Sequence, residues 1–230
     1  MSILYVVATP IGNMEDISLR ALRILREVGL IAAEDTRKTR RLLSAYGIDT
    51  RLTSYHEHSK KAKLGHLLDH LEREDLALVS EAGTPGLSDP GYDLVVTAID
   101  RGVFVVPVPG PSAVVTALVV SGLPTDQFVY VGFLPRRKGQ RQRLLGSMSD
   151  ESRTIVAFEA PHRLREALTD IGEVLGDRRV TICRELTKVH EEIFRGRVSR
   201  AREHFGQPRG EFSLVIEGKT RAWLKLQERS

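Results

Sequence analysis

The chain has 230 residues, of which 41% are apolar and 28% are charged. These proportions are typical of globular proteins and exclude a disordered or fibrous chain, and the length suits one large or two small domains. The single cysteine, Cys183, excludes an intramolecular disulfide framework and a cysteine-rich zinc site. Because no apolar run reaches the roughly 18 residues of a membrane span and no basic leader opens the chain, we expect a cytoplasmic protein without a membrane partner.

The charge is small overall but unevenly distributed. Lys and Arg number 34 against 30 Asp and Glu, a net charge of +4. Residues 1–110 carry 13 basic and 15 acidic side chains, whereas residues 111–230 carry 21 and 15. A basic second half is compatible with a nucleic-acid partner but does not require one.

The first half of the chain alternates predicted strands and helices. The patterns predict strands at 3–8, 30–33, 76–80 and 103–106, and helices at 18–29, 37–46, 60–72 and 92–101. Such alternation is typical of an α/β domain with a mostly parallel sheet.

After the turn at 122–124 the pattern changes. It predicts strands at 128–133, 154–158, 180–184, 192–198 and 212–217, with substantial helices only at 139–148 and 162–175. This favours a second, α+β domain with a mixed sheet that contains antiparallel pairs. We therefore expect an N-terminal domain of residues 1–122 and a C-terminal domain of residues 123–230.

A loop rich in glycine and proline, residues 80–91, follows the third predicted strand. It would lie at the carboxyl edge of the sheet, where open α/β folds bind ligands. The alternative is a plain connection in which Asp89 caps the next helix and Pro90 is its first residue. That alternative explains the loop's length poorly, since such connections need only about two to six residues.

Two further loops are predicted at the same edge, residues 9–13 and 108–113. In the second, Ser112 offers a hydroxyl and an amide and Ala113 leaves room for a ligand, although a proline-started helix explains it equally well. Three loops at one edge favour a pocket.

The motifs of P-loops, dinucleotide folds, zinc proteases and serine hydrolases are absent. The polar run 56–58 (His-Glu-His) is a weak metal signal, so we expect no metal.

Charged segments at the predicted sheet edge and in the second half suggest a substrate. Glu34 and Asp35 follow the second strand and are candidates to orient a hydroxyl; the alternative is an acidic first helical turn. The run 136–143 (RRKGQRQR) has five basic and no acidic residues. It favours contact with a nucleic-acid backbone over a solvated helix face.

Six motifs occur in an order that resembles one family. They are YVVATPIGN at 5–13, EDTR at 34–37, SEAGTPG at 80–86, PGPSA at 109–113, FEAPHR at 158–163 and GEF at 210–212. This order resembles the bacterial 16S rRNA cytidine ribose 2′-O-methyltransferases of the tetrapyrrole methylase superfamily. The resemblance implies a two-domain enzyme, usually homodimeric, that binds S-adenosylmethionine between its domains and methylates a cytidine ribose in the decoding region of the small ribosomal subunit.

The resemblance also implies the residues that bind the cofactor. Carried over motif by motif, they are Pro10, Ala82, Gly83, Thr84, Leu87, Ser112, Ala113, Phe158, Glu159, Glu211, Phe212 and Ser213.

Methylation of a ribose hydroxyl calls for a carboxylate or histidine within hydrogen-bond reach. Asp35, Glu81 and Glu34 are our catalytic candidates, because they would project from the same sheet edge. For the phosphates of the rRNA the candidates are Arg37, Lys38, Arg136, Arg137, Lys138 and Arg141.

Two other functions fit the same sequence. One is a tetrapyrrole or protein side-chain methyltransferase of the same superfamily, and the other is a non-enzymatic ribosome-binding factor. The basic run and the segment 34–37 favour the RNA-methylating branch.

Overall fold

The computed structural model describes residues 2–56 and 60–219. Within these ranges the strands form two five-stranded sheets. The chain divides into two compact units, Met1–Ser112 and Ala113–Ser230. The division lies before the helix at residues 113–120, whereas the sequence suggested a boundary after that helix.

The first unit is a parallel α/β domain, as predicted. Its sheet has the order β3-β2-β4-β1-β5, and neighbouring strands pair in parallel. The strands are β1 (Ile3–Val7), β2 (Leu30–Ala33), β3 (Leu52–Ser54), β4 (Leu76–Val79) and β5 (Phe104–Val108). The helices are α1 (Leu19–Glu27), α2 (Thr36–Ala45), α3 (Lys60–Leu71) and α4 (Tyr92–Asp100).

Alternation along the strands explains why helices cover both faces of this sheet. On β2, Ile31 and Ala33 belong to the core that α1 and α2 cover, whereas Leu30 and Ala32 belong to the core that α3 and α4 cover. Successive strand residues point to opposite faces, so a strand buried on both faces is apolar throughout. This is why the sequence showed these strands as short apolar runs.

The second unit has a mixed sheet, again as predicted. Its order is β6-β7-β10-β8-β9; β6 pairs with β7 in parallel and the remaining pairs are antiparallel. The strands are β6 (Phe128–Phe133), β7 (Thr154–Glu159), β8 (Arg179–Arg184), β9 (Glu192–Arg197) and β10 (Phe212–Ile216). The helices are α5 (Ala113–Val120), α6 (Lys138–Ser147), α7 (Leu164–Leu175) and α8 (Val198–His204).

The helices of the second unit cover its sheet. The core includes Leu145 of α6, Leu168 of α7 and Ala201 of α8, packed against inward residues of β7, β8 and β10. Helix α5 packs against β7 and β10. This packing explains why α5 belongs to the second unit.

Strand directions bring several loops of the second unit to one edge of its sheet. Strands β7 and β8 are both antiparallel to β10, and β6 is parallel to β7. The carboxyl ends of β6, β7 and β8 and the start of β10 therefore meet at that edge. Loops 134–137, 160–163, 185–191 and 209–211 all lie there.

In the part of the chain that the structure describes, no helix has both the length and the apolar character needed to cross a bilayer.

Candidate functional site

The three glycine- and proline-rich loops of the first unit meet at the carboxyl edge of its sheet. The backbone N–H of Thr9 donates to the carbonyl of Gly83 at 2.9 Å, and the N–H of Gly83 donates back to Thr9 at 3.0 Å. The hydroxyl of Thr84 donates to the carbonyl of Pro111 at 3.2 Å. These bonds tie the loop 80–91 to both of its neighbours, so the gathering that the sequence predicted is observed.

Close backbone approach explains glycine at two positions in these loops. Gly83 has φ +78°, and a Cβ there would lie 3.2 Å from Cγ2 of Ile11. A Cβ on Gly110 would lie 3.1 Å from the Cβ of Ala8. A larger residue at either position would push the loops apart.

A buried hydroxyl lies where the loops meet. Thr9 is 3% exposed, and its Oγ1 has no hydrogen-bond partner among the described residues. A buried polar atom without a partner is costly, and native proteins rarely leave one unpaired. The Thr9 hydroxyl is therefore available to a ligand polar group that enters between the loops.

Three carboxylates lie close together at the ends of β2 and β4. Oε2 of Glu34 accepts a hydrogen bond from the backbone N–H of Glu81 at 3.0 Å. Burial, together with the charges of Glu34 and Glu81, raises the pKa of Asp89 to about 7, although a hydrogen bond with Ser80 lowers it. Negative charge is thus concentrated at this edge, and Asp89 can change its protonation near neutral pH.

Asp89 is a residue whose role the sequence did not indicate. The interpretation of Asp89 as a helix cap is wrong, because α4 begins at Tyr92 and its N-cap is Gly91. The signal that was present is positional: Asp89 lies in the same loop as Glu81, across from the end of β2.

Asp35, by contrast, has a structural role at the start of α2, as its N-cap and not within the first helical turn that was the alternative. It is the N-cap of α2, and its Oδ1 accepts hydrogen bonds from the backbone N–H groups of Arg37 at 2.8 Å and Lys38 at 3.2 Å. These bonds hold the pKa of Asp35 below its ordinary value. A carboxylate so stabilised is a weak proton acceptor.

The two basic residues that follow Asp35 differ in their surroundings. The ammonium of Lys38 contacts the carboxylate of Glu81, so part of its charge is matched within the cluster. The side chain of Arg37 is 90% exposed, and its Nε lies 3.8 Å from the carboxylate of Asp35. Arg37 is therefore the better placed of the two to meet an external phosphate.

In the second unit, four residues carried over from the resemblance are neighbours on two paired strands. Phe212 pairs with Glu159 and Ser213 pairs with Phe158. Directly opposed residues share a face of the sheet, and Phe212 is part of the core beneath the helices. The side chains of Glu159 and Phe212 are thus buried in their own unit, while Phe158 and Ser213 occupy the other face.

Glu159 is held by an arginine on the turn that follows β7. Its Oε1 accepts from the N–H of Ala160 at 2.7 Å and lies 2.6 Å from Nη2 of Arg163. Burial raises the pKa of Glu159, which Ala160 and the charge of Arg163 oppose. Its Oε2 has no partner among the described residues.

Glu211 lies at the same edge of the second sheet. Its carboxylate lies 2.8 Å from the ammonium of Lys188, which also bridges to Glu185 at 3.1 Å. The sequence did not indicate Lys188, and its only signal was its position after a predicted strand.

The basic run of residues 136–143 is only partly a surface feature. Arg136, Arg137 and Lys138 are exposed, but Arg141 is 1% exposed and its guanidinium lies 2.6 Å from Asp170 of α7. The prediction that Arg141 contacts phosphate does not fit this burial, so we exclude Arg141 from the proposed RNA surface. Lys138 also lies 3.8 Å from Asp170, which reduces its free charge.

The structure offers no metal centre within residues 2–56 and 60–219, since no group of three or more His, Cys, Asp and Glu there is arranged to hold an ion. In the run 56–58, residues 57 and 58 lie outside the described residues.

Comparison with known proteins identifies relatives over nearly the whole chain. Residues 3–202 match the tetrapyrrole (corrin/porphyrin) methylases. A Halalkalibacterium halodurans protein named ribosomal RNA small subunit methyltransferase I is 51% identical over 219 residues, 94% of this chain and 75% of the relative. A Thermotoga maritima protein of the same name is 51% identical over 222 residues, 95% of this chain and 100% of the relative.

Two solved structures share the fold. A diphthine synthase superposes with a TM-score of 0.74 at 16% identity, covering 98% of this chain and 94% of that one. A uroporphyrin-III-C-methyltransferase from Thermus thermophilus gives a TM-score of 0.64 at 19% identity, covering 98% and 99%. At these identities the likeness concerns the fold alone.

Proposed function

Because the chain belongs to the tetrapyrrole (corrin/porphyrin) methylase family, we propose that it transfers a methyl group from S-adenosylmethionine to the ribose 2′-hydroxyl of a cytidine in 16S rRNA. The family match confirms the resemblance identified from the six ordered motifs. The close relatives named as small-subunit rRNA methyltransferases confirm that the chain is an rRNA methyltransferase. The choice of ribose, cytidine and decoding region comes from the motif resemblance.

The observation that carries the proposal is the meeting of three loops around the Thr9 hydroxyl beside a carboxylate cluster. S-adenosylmethionine is a cation at its sulfonium and its ammonium, and it supplies an electrophilic methyl group when bound. The carboxylates of Glu34, Glu81 and Asp89 complement that charge. Glycine at positions 83 and 110 lets the loops approach closely without side chains that would fill the space between them.

These features fit the cofactor residues expected in the first unit: Pro10, Ala82, Gly83, Thr84, Leu87 and Ser112. Each lies on one of the three joined loops, and Ala113 follows Ser112 directly. In the second unit we keep Phe158 and Glu211 as proposed contacts through their side chains. Glu159, Phe212 and Ser213 are proposed to contribute through their backbone, since their side chains are buried.

Among the catalytic candidates we favour Glu81 as the group that orients the ribose hydroxyl. Its side chain is partly exposed at the loop surface, where it contacts the ammonium of Lys38, whereas the carboxylate of Asp35 is held by backbone N–H groups of α2. Glu34 accepts the backbone N–H of Glu81 and thereby positions it. In-line displacement at a sulfonium depends mainly on holding the hydroxyl in position, so a modest base suffices.

We propose that the substrate is the small ribosomal subunit in the cytoplasm, and that Arg37, Arg136, Arg137 and Lys138 contact rRNA phosphates. Lys38 contributes less, because Glu81 already matches its charge. Cations on exposed loops are suited to phosphate contacts that position an RNA without reading its sequence.

We also propose that the enzyme is a homodimer, as the resemblance implies. Tyr92, Val96 and Ile99 recur on one face of α4 and are exposed. A contiguous exposed apolar face of this kind is typical of an interface. We therefore infer that this face is where two copies meet.

The test is transfer of labelled methyl groups from S-adenosylmethionine to small ribosomal subunits from a strain that lacks the modification. We expect one labelled ribose 2′-O-methyl group, found by nuclease digestion and chromatography. Fully modified subunits are the matched control and should accept no label. Activity on a tetrapyrrole but not on the subunit would overturn the proposal. Absence of S-adenosylmethionine binding by calorimetry would refute methyltransferase activity of any kind.

A further inference from the structure

The last residue of β6 is turned outward by an irregularity in the strand. The pairing of β6 with β7 shifts register between Tyr130 and Phe133, and Gly132 between them has φ +69°. A bulge of this kind re-aims the side chain that follows it. Phe133 is 54% exposed, at the end of the sheet's edge strand.

The ring of Phe133 is nevertheless held in place. It packs edge to face against Phe158, with ring centroids 5.5 Å apart and an interplanar angle of 62°. Phe158 makes a similar contact with Tyr130 at 5.3 Å. An aromatic ring that is ordered before a ligand arrives loses little conformational entropy on binding.

The segment after Phe133 is fixed by two arginines. Nη1 of Arg163 donates to the carbonyl of Leu134 at 3.2 Å. Nη1 of Arg141 donates to the carbonyls of Pro135 at 3.2 Å and Arg136 at 3.4 Å. Three successive carbonyls are thus tied to guanidinium groups.

Those two guanidinium groups are themselves held by buried carboxylates. Arg163 lies 2.6 Å from Glu159, and Arg141 lies 2.6 Å from Asp170. The network therefore holds the backbone from which the exposed side chains of Arg136 and Arg137 project, three and four residues after Phe133.

We propose that Phe133 is the platform on which an unpaired nucleobase of the RNA substrate stacks, with Arg136 and Arg137 on the adjoining phosphates. This rests on the proposed function and names the substrate contact of the second unit. Single-stranded nucleic acid is bound by aromatic rings beside cationic side chains, because every base has a π-face and every linkage a negative charge. An apolar protein partner would match the ring but not the adjacent arginines.

The test compares Phe133→Leu with Phe133→Trp, and uses Phe128→Leu as the control. Phe128 is the exposed phenylalanine at the other end of the same strand, 39% exposed. Steady-state methyl transfer to unmodified small subunits gives kcat and KM for the subunit. We expect Phe133→Leu to raise this KM by on the order of tenfold, and Phe133→Trp and Phe128→Leu to stay within about twofold of the wild type.

Thermal unfolding and calorimetry with S-adenosylmethionine show whether each variant keeps its fold and its cofactor affinity. Rescue by tryptophan separates stacking from a purely structural role, since tryptophan offers a larger π-face. Provided that the wild-type protein methylates the subunits, the stacking role is refuted by either of two results. One is an unchanged KM for Phe133→Leu, and the other is a KM for Phe133→Trp as high as that of Phe133→Leu. Wild-type protein that transfers no methyl group to subunits refutes the proposed function, and the inference falls with it.

Discussion

The side chain of Asp89 lowers the stability of the folded protein when its carboxyl group is ionised. Its pKa of about 7 lies above the ordinary 3.8, because burial and the charges of Glu34 and Glu81 disfavour the carboxylate. The folded state therefore binds the proton more tightly than the unfolded state. The cost to stability is absent below about pH 3.8, grows as pH rises, and is complete above about pH 7.

We therefore expect Asp89→Asn to stabilise the fold increasingly from pH 5 to pH 8. Urea denaturation across that range measures the free energy of unfolding. Asp100→Asn, at an exposed position on α4, is the control and should give a constant small difference. A benefit from Asp89→Asn that is the same at pH 5 and pH 8 would contradict the assignment.

We expect Asp89→Asn also to weaken the binding of S-adenosylmethionine. If Asp89 faces the cationic ligand, removing its charge should raise the dissociation constant for S-adenosylmethionine about tenfold or more at pH 8. In the wild type, affinity should fall as pH drops below about 7, because the cation has to displace a proton. Calorimetry at several pH values measures both effects, and pH-independent binding would exclude Asp89 from the ligand site. A gain in stability with a loss of binding is the expected trade-off at a functional site.

Residue roles were harder to predict than residue locations. The sequence placed Glu34, Asp35 and Glu81 at one sheet edge, and they lie there. It could not distinguish a carboxylate that accepts two helix N–H groups, as Asp35 does, from one that is poorly solvated, as Asp89 is. That difference depends on the groups that lie within about 3 Å of each carboxylate. Those neighbours are determined by the conformation of the loop, which the sequence pattern does not show.

Among the secondary-structure elements, the pair α6 and α7 shows how a basic segment becomes internal. Arg141 of α6 and Asp170 of α7 are both buried and lie 2.6 Å apart. Gln142 also donates to Asp170 at 3.0 Å. The two helices are thus joined by an ionic contact as well as by apolar packing.

We expect Arg141→Met to destabilise the second unit by about 3–5 kcal/mol, because the buried carboxylate of Asp170 would lose its nearest cation and keep only Gln142 and the more distant Lys138. Arg143→Met, at an exposed position of the same helix, should change stability by no more than about 0.5 kcal/mol. Chemical denaturation followed by circular dichroism measures both. The double variant Arg141→Met with Asp170→Leu should recover most of the loss, and equal effects of the two arginine substitutions would contradict a buried ion pair.

The periodicity of apolar residues predicted most helices and strands but missed those with a short pattern. It also could not show ion pairs between residues far apart in the sequence. The three residues of β3 are too few to show a strand pattern, and α8 has only Val198 and Ala201 buried among polar residues. The run at 136–143 looked free of acidic partners because Asp170 lies 29 residues from Arg141. Such pairing is fixed by helix packing and is invisible along the chain.

At the scale of the whole molecule, the second half of the chain is the more basic one, but not all of its basic side chains are available to a partner. Residues 111–230 carry 21 basic side chains, but several of them pair with carboxylates of the same unit, including Arg141 with Asp170 and Arg179 with Glu217. The cations available to RNA are therefore fewer than the sequence suggested. The exposed cations proposed to contact phosphate are Arg136, Arg137 and Lys138, which follow Phe133, and Arg37 on α2.

Assembly of the protein is expected to depend on the exposed apolar face of α4. We expect the wild-type protein to sediment as a dimer, and Ile99→Asp to sediment as a monomer with an unchanged circular dichroism spectrum, because a charge would be buried without a partner at the centre of the face. Asp100→Asn, the adjacent exposed residue, should remain dimeric. Analytical ultracentrifugation at several protein concentrations distinguishes these outcomes. A dimer that survives Ile99→Asp would assign assembly to another surface, and a wild-type monomer at tens of micromolar would refute the homodimer.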